Sequence, residues 1–327
     1  MIKYSYSYLE NKWTKNYWDF ICANEENINW QLLSENPNIT WNIIKNNPHK
    51  KWDWQWSISK NPNITWKIIQ NNPDKFWNWW NISQNSNITW DIIKNNPDKT
   101  WNWNSIEFNP NICDIINNIE YSWNWKYLSL NRNLSWDIIK KNLDKPLDYR
   151  GLLQNPNITW DIVKKNVKYS NNNSFFFWVS KNPNITWDII SDYIDSDWDW
   201  YEISYNPNIT WEIINKNYCK KWDWIAISKN PNITWEIIKN NLDKNWNWTN
   251  ISQNPNITWD IINKNPNQKW NWNNISKNTM KLGKEKWINE ERLKIIKVLQ
   301  IQKHWRNCTS NPDFLLAKRL IMNIINN

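Results

Sequence analysis

The sequence predicts an all-α solenoid of about eleven 24-residue repeats, each an α-helix followed by a short α or 3-10 helix, with a helical C-terminal cap. Three observations carry this prediction. Residues 230–253 read Asn-Pro-Asn-Ile-Thr-Trp-Glu-Ile-Ile-Lys-Asn-Asn-Leu-Asp-Lys-Asn-Trp-Asn-Trp-Thr-Asn-Ile-Ser-Gln, and residues 206–229 and 254–277 nearly repeat them. A fixed short period of this kind marks a stacked array and replaces the usual estimate of domain number from length. The 327 residues include 33 Trp and are 16% aromatic, a load that disordered chains lack, so the 64 Asn belong to a folded protein.

Taken in order, residues 1–35 read as a degenerate N-terminal capping repeat, with Trp18-Asp-Phe-Ile standing where Trp-Asp-Ile-Ile stands later. A divergent terminal unit stops end-to-end stacking. Ten regular repeats fill residues 36–277, starting at Asn36, Asn61, Asn85, Asn109, Asn131, Asn155, Asn182, Asn206, Asn230 and Asn254. Within the example unit, Thr234 is placed to cap the first helix, Glu236 to complement its positive end, and Ile237 and Ile238 to point inward. Asp243 is the expected cap of the second segment, and Asn254-Pro255-Asn256 the turn into the next unit. Helices this short need their neighbours for stability. Stacked at roughly 9–10 Å per layer, eleven units would form a rod or superhelix about 100 Å long. Regularity fails at 109–181, where Cys113 replaces Thr-Trp, Gly151 enters, and Phe175, Phe176, Phe177 and Trp178 run together. Residues 278–327 carry ten Lys or Arg against four Asp or Glu and read as a basic helical cap, with helices at 285–306 and 314–325.

The repeat motif resembles the leucine-rich variant repeat, which is similar in length, has an Asn-Pro-Asn type turn and buries two aliphatic residues. That resemblance implies a right-handed superhelix alternating α-helix with 3-10 helix. The literal Asn-Pro-Asn-Ile-Thr-Trp unit and the Asn/Ile/Trp-rich composition also resemble uncharacterised repeat proteins of giant amoebal DNA viruses related to mimivirus. Neither resemblance implies a substrate.

The chemistry of the chain points away from catalysis. His49 and His304 have no Cys, His or carboxylate cluster around them in sequence, and two Gly do not make a phosphate loop. The acidic column Asp91, Asp137, Asp161, Asp188, Glu212, Glu236 and Asp260 sits in first helical turns, where a carboxylate is favoured by the helix dipole. No catalytic, metal-binding or cofactor-binding residue is expected, and no cofactor. The four Cys, Cys22, Cys113, Cys219 and Cys308, read as free buried thiols in a reducing compartment. No signal peptide and no apolar run of spanning length is visible, so the expectation is an intracellular protein of host cytoplasm or virion, neither secreted nor in a membrane.

The expected role is a non-enzymatic scaffold for a protein partner, with a concave repeat surface as its site. The candidate surface is Trp187, Trp211, Trp235, Trp259, Phe175, Phe176, Phe177, Trp305 and Arg306. The alternative is a Trp column that stacks single-stranded nucleic acid or glycan. The array of residues 1–277 has 30 basic and 27 acidic residues, a near-neutrality that disfavours nucleic acid. Residues 301–306, Ile-Gln-Lys-His-Trp-Arg, also resemble half of a calmodulin-binding IQ motif, although a capping helix is the expected reading.

Overall fold

The computed structural model describes residues 6–166 and 174–309, the last four in backbone only, together with Leu315. The described chain is all α: many short helices that begin with Trp, and one long C-terminal helix, Lys281–Thr309, packed against the N-terminal helix, Tyr6–Ala23. The predicted helix at 314–325 lies outside the described residues apart from Leu315.

Each short helix is specified locally. The first helix of the example unit, Trp235–Asn240, starts at Thr234, whose hydroxyl accepts from the Ile237 N–H. It stops at Asn241, whose amide donates back to the Ile237 carbonyl at 2.8 Å. Both helix ends are therefore satisfied by the repeat's own polar residues. Ile238 is fully buried beneath it. The second helix, Trp248–Ile251, is capped by Asn247 and not by Asp243, which instead pairs with Lys244 at 2.8 Å in solvent. The physical reason lies in the intervening turn. Trp246 Nε1 donates to the Asn241 carbonyl at 2.6 Å, which holds residues 241–246 out of a helix. The same indole bond recurs at Trp52, Trp77, Trp101, Trp198, Trp222 and Trp270. Second helices are mainly α, with a 3-10 segment at Ile58–Lys60.

Units are joined through the Asn that opens each Asn-Pro-Asn turn. Asn230 is buried, and its Nδ2 donates to the carbonyls of Asn206 and Ile209 in the preceding unit and of Ser204 at the end of the unit before that. Its Oδ1 accepts from Asn232 N–H and shapes the turn. Every ladder Asn in turn donates to the carbonyl of the one before: Asn61 to Asn36, Asn85 to Asn61, Asn109 to Asn85, Asn131 to Asn109 and Asn155 to Asn131. The series continues through Asn182, Asn206, Asn230 and Asn254 to Asn278. Asn36 then donates to the carbonyls of Ser276 and Asn278. The ladder has eleven rungs and no end.

This closure overturns the extended rod. Its two ends are joined by the bonds that join any two neighbours, including Asn29 N–H to Ser276 Oγ at 2.9 Å, the counterpart of Asp223 N–H to Ser204 Oγ. The divergent N-terminal stretch does not block stacking. It supplies the second helix Trp30–Ser34 that docks on Trp272–Lys277. The N-terminal helix fills the place of a missing first helix, with Trp18 stacked on Trp52 at 6.0 Å and Trp13 against Trp259 and Trp287. Lys12 reaches Glu291 at 2.7 Å across the same seam.

Candidate interaction surface

In a closed ring, whichever helices are more closely spaced lie on the smaller circumference. Successive second helices approach most closely, whereas first helices leave grooves between them, for example between Trp41 and Thr65-Ile68. The second helices therefore form the inner wall and the first helices the outer. Eleven inner helices spaced at roughly 8–9 Å give an opening about 20 Å across once side chains are allowed for.

The first-helix Trp column lies between these walls. Trp211, Trp224 and Trp246 meet edge-to-face or stacked at 5.2–6.4 Å. Trp187 joins Trp200 and Trp222, and Trp235 joins Trp248 and Trp270, in the same way. Trp259 meets Trp13. All four are half-buried and pack on the core. Such rings bury large apolar area and gain from edge contacts, so the predicted column is wall material between units and not an open ladder of ring faces. Phe175 and Phe176 are also half-buried, with Phe176 against Trp198 at 4.9 Å, while Phe177 is exposed. Trp305 is exposed on the far part of the C-terminal helix, well separated in sequence from the ring wall. Arg306 belongs to that helix, and its side chain lies outside the described residues.

The inner face is built from positions that the repeat motif leaves variable. On most second helices the leading aromatic, the Ile or Leu and the Ser pack into the wall. The residue after the leading aromatic and the residue before the ladder Asn are the more exposed and face the opening, joined by the third helical residue where it is large. Between rungs 5 and 9 these places hold Lys126, Tyr127, Leu130, Arg150, Phe177, Trp178, Lys181, Tyr201, Glu202, Tyr205 and Lys229. The Arg150 guanidinium lies 5.8 Å over Trp178, and Lys181 lies 5.4 Å over the same ring and 5.9 Å over Phe177. Lys229 sits 4.4 Å over Tyr205 and 5.1 Å over Tyr201. Arg150 also pairs with Asp148 at 2.8 Å, and Lys181 approaches Glu202 at 3.8 Å. None of the ion pairs among the described residues involves Lys126, Arg132 or Lys229, although Glu202 lines the same cleft as Arg132. A cleft of about 380 Å³ opens here, lined by Leu130, Arg132, Gly151, Lys181, Glu202 and Tyr205. Gly151 permits the close approach of wall helices: a Cβ there would stand 2.7 Å from the Ser129 carbonyl oxygen.

Of this strip the candidate surface drawn from sequence held only Phe177, because the other choices followed the periodic Trp. Departure from the motif at the variable positions of 109–181 is the signal that marks it. Four members of the acidic column pair with a Lys one turn on: Asp161 with Lys164, Glu212 with Lys216, Glu236 with Lys239 and Asp260 with Lys264. Among the described residues no group of His, Cys, Asp or Glu could hold a metal ion, and no helix is long and apolar enough to cross a membrane. Cys22 and Cys219 are exposed, contrary to the expected buried thiols, because both sit on turns and helix ends outside the wall. Cys113 is half-buried, its Sγ donating to the Asn133 carbonyl. No family model, curated protein or solved structure matches the chain.

Proposed function

We propose that this protein is a non-enzymatic repeat scaffold, a solenoid of eleven units that presents its inner face to a protein partner. The observation that carries this reading is the inner strip itself: half-exposed Tyr, Phe and Trp interleaved with Arg and Lys on a wall fixed by the Asn ladder. Aromatic and Arg side chains on a rigid support are what protein interfaces concentrate. Rigidity reduces the ordering cost of association. The chain's resemblance to repeat proteins of giant amoebal viruses supports a place in host cytoplasm or virion.

Packing of the Trp columns into the wall supports a protein partner over the stacking of bases or sugars on those columns. The test is tryptophan emission of the purified chain, with iodide and then mixed single-stranded RNA added, beside affinity capture on the immobilised full chain after nuclease treatment. Blue-shifted emission unmoved by RNA, with protein retained after nuclease, is the expected result. Red-shifted emission quenched by RNA in a salt-dependent way would overturn the scaffold reading in favour of a stacking platform.

A further inference from the structure

We infer that the inner strip between rungs 5 and 9 takes an extended acidic peptide segment of the partner. This rests on the scaffold reading and names the chemistry of what it binds.

Charge selects the sign. Of the second and third residues of the inner helices and the residue before each ladder Asn, six are Lys or Arg (Lys60, Lys126, Arg150, Lys181, Lys229 and Lys277) and two are Glu (Glu35 and Glu202). Arg132, beside its ladder Asn, adds a further cation to the cleft. The remainder of the array is close to neutral, so the positive excess belongs to this face. Carboxylates can pair with Lys126, Arg132 and Lys229 without breaking an existing ion pair, and a guanidinium binds carboxylate in a two-point geometry.

The rings decide between an acidic peptide and a nucleic acid. Stacking a base needs a free aromatic face. Here the faces of Trp178, Phe177, Tyr201 and Tyr205 each lie beneath Arg150, Lys181 or Lys229 at 4.4–5.9 Å. A base would have to displace the cation, while a carboxylate binds the cation where it stands and leaves it over the ring. Exposed Tyr127, Leu130 and Tyr205 provide apolar contacts for side chains that alternate with the acids. The strip follows successive inner helices, so a chain that spans several of them must be extended.

The probe is a fluorescein-labelled poly-L-glutamate oligomer, titrated by anisotropy against the full-length chain. The expected result is saturable binding that weakens as salt rises, and that Arg132→Glu with Lys229→Glu reduces by about tenfold or more. Lys45→Glu with Lys94→Glu, on exposed outer helices, should leave it within about twofold. Unchanged melting temperatures of both double variants keep the comparison one of binding. No binding at low salt, equal loss in the outer variant, or binding of single-stranded RNA with the peptide inert would each overturn the inference. If nuclease-resistant protein capture survives Arg132→Glu with Lys229→Glu, the scaffold reading stands and this strip is refuted. If the full chain retains no protein at all, the scaffold reading itself fails.

Discussion

Asn36 Nδ2 donates to the carbonyl of Asn278 at 3.0 Å, joining residues 242 apart in the chain. The bond copies the step from Asn230 to Asn206 at 3.1 Å in the middle of the array. A ladder that treats its first and last members alike makes a prediction about energy. Asn36→Ala should cost about as much as Asn230→Ala, roughly 2–4 kcal/mol each, because both leave buried carbonyls without a donor. Urea unfolding of the two variants measures this. A cost of only a few tenths for Asn36→Ala would mean that the seam opens in solution.

The second-column Trp carries two separable contributions. Trp77 is 9% exposed, touches Trp41 and Trp54, and donates to the Asn72 carbonyl at 2.8 Å. Trp77→Ala should destabilise by about 3–5 kcal/mol through the cavity it leaves. Trp77→Phe keeps much of the ring and loses the hydrogen bond, so about 1–2 kcal/mol is expected. Thermal and urea midpoints of the pair separate packing from the bond, and equal losses would contradict the assignment.

Glu107 stands where other units place the Ser, such as Ser204 and Ser276, whose hydroxyl accepts a backbone N–H from the neighbouring unit. Its Oε1 accepts from Asn124 N–H at 2.8 Å, while its Oε2 is buried without a partner among the described residues. Burial raises its pKa, against the smaller opposing pull of the Asn124 N–H. A carboxyl whose folded pKa lies above its unfolded value favours folding below the unfolded pKa and loses that contribution as pH rises through the folded one. Glu107→Gln should therefore stabilise the protein near neutral pH, by about 1 kcal/mol, and the gain should vanish in acid. A gain that grows toward low pH would refute the sign.

Gly151→Ala tests the close approach of inner helices. The added Cβ meets the Ser129 carbonyl oxygen at 2.7 Å and Leu130 Cδ2 at 2.9 Å, and backbone cannot swing aside as a side chain can. A loss of about 1–3 kcal/mol is expected from overpacking, seen as a lower melting temperature. No change would show that the wall relaxes at this unit.

The sequence made the helices legible because their determinants are local. Thr234 and Ile237, or Asn241 and Ile237, lie within one turn of each other, and the motif repeats them. Ring closure was not legible, because curvature is a sum over units of small rotations set by the packing of Trp211, Trp224 and Trp246 and their counterparts. Two traces of it were nonetheless present. Residues 29–34 offer a second helix with no regular first helix before it, and Ser276 and Asn278 offer a ladder step with no regular turn after it. These halves complete each other only in space. The inner strip was hidden for a different reason: Arg150, Lys181 and Lys229 are unremarkable in sequence, and only the wall brings them over Trp178, Phe177 and Tyr205.

Because the Asn ladder returns to its start, each unit must turn the chain by about 33° on average. An open array can gain or lose one repeat and remain the same kind of object. Here a duplication would demand a new angle at every step, or leave a gap that a single unit cannot fill. The number of repeats is thus held by geometry, and the rung count stays at eleven although the repeat length slips between Asn109 and Asn182. Variation in such a molecule is channelled away from length and into the residues that face the opening.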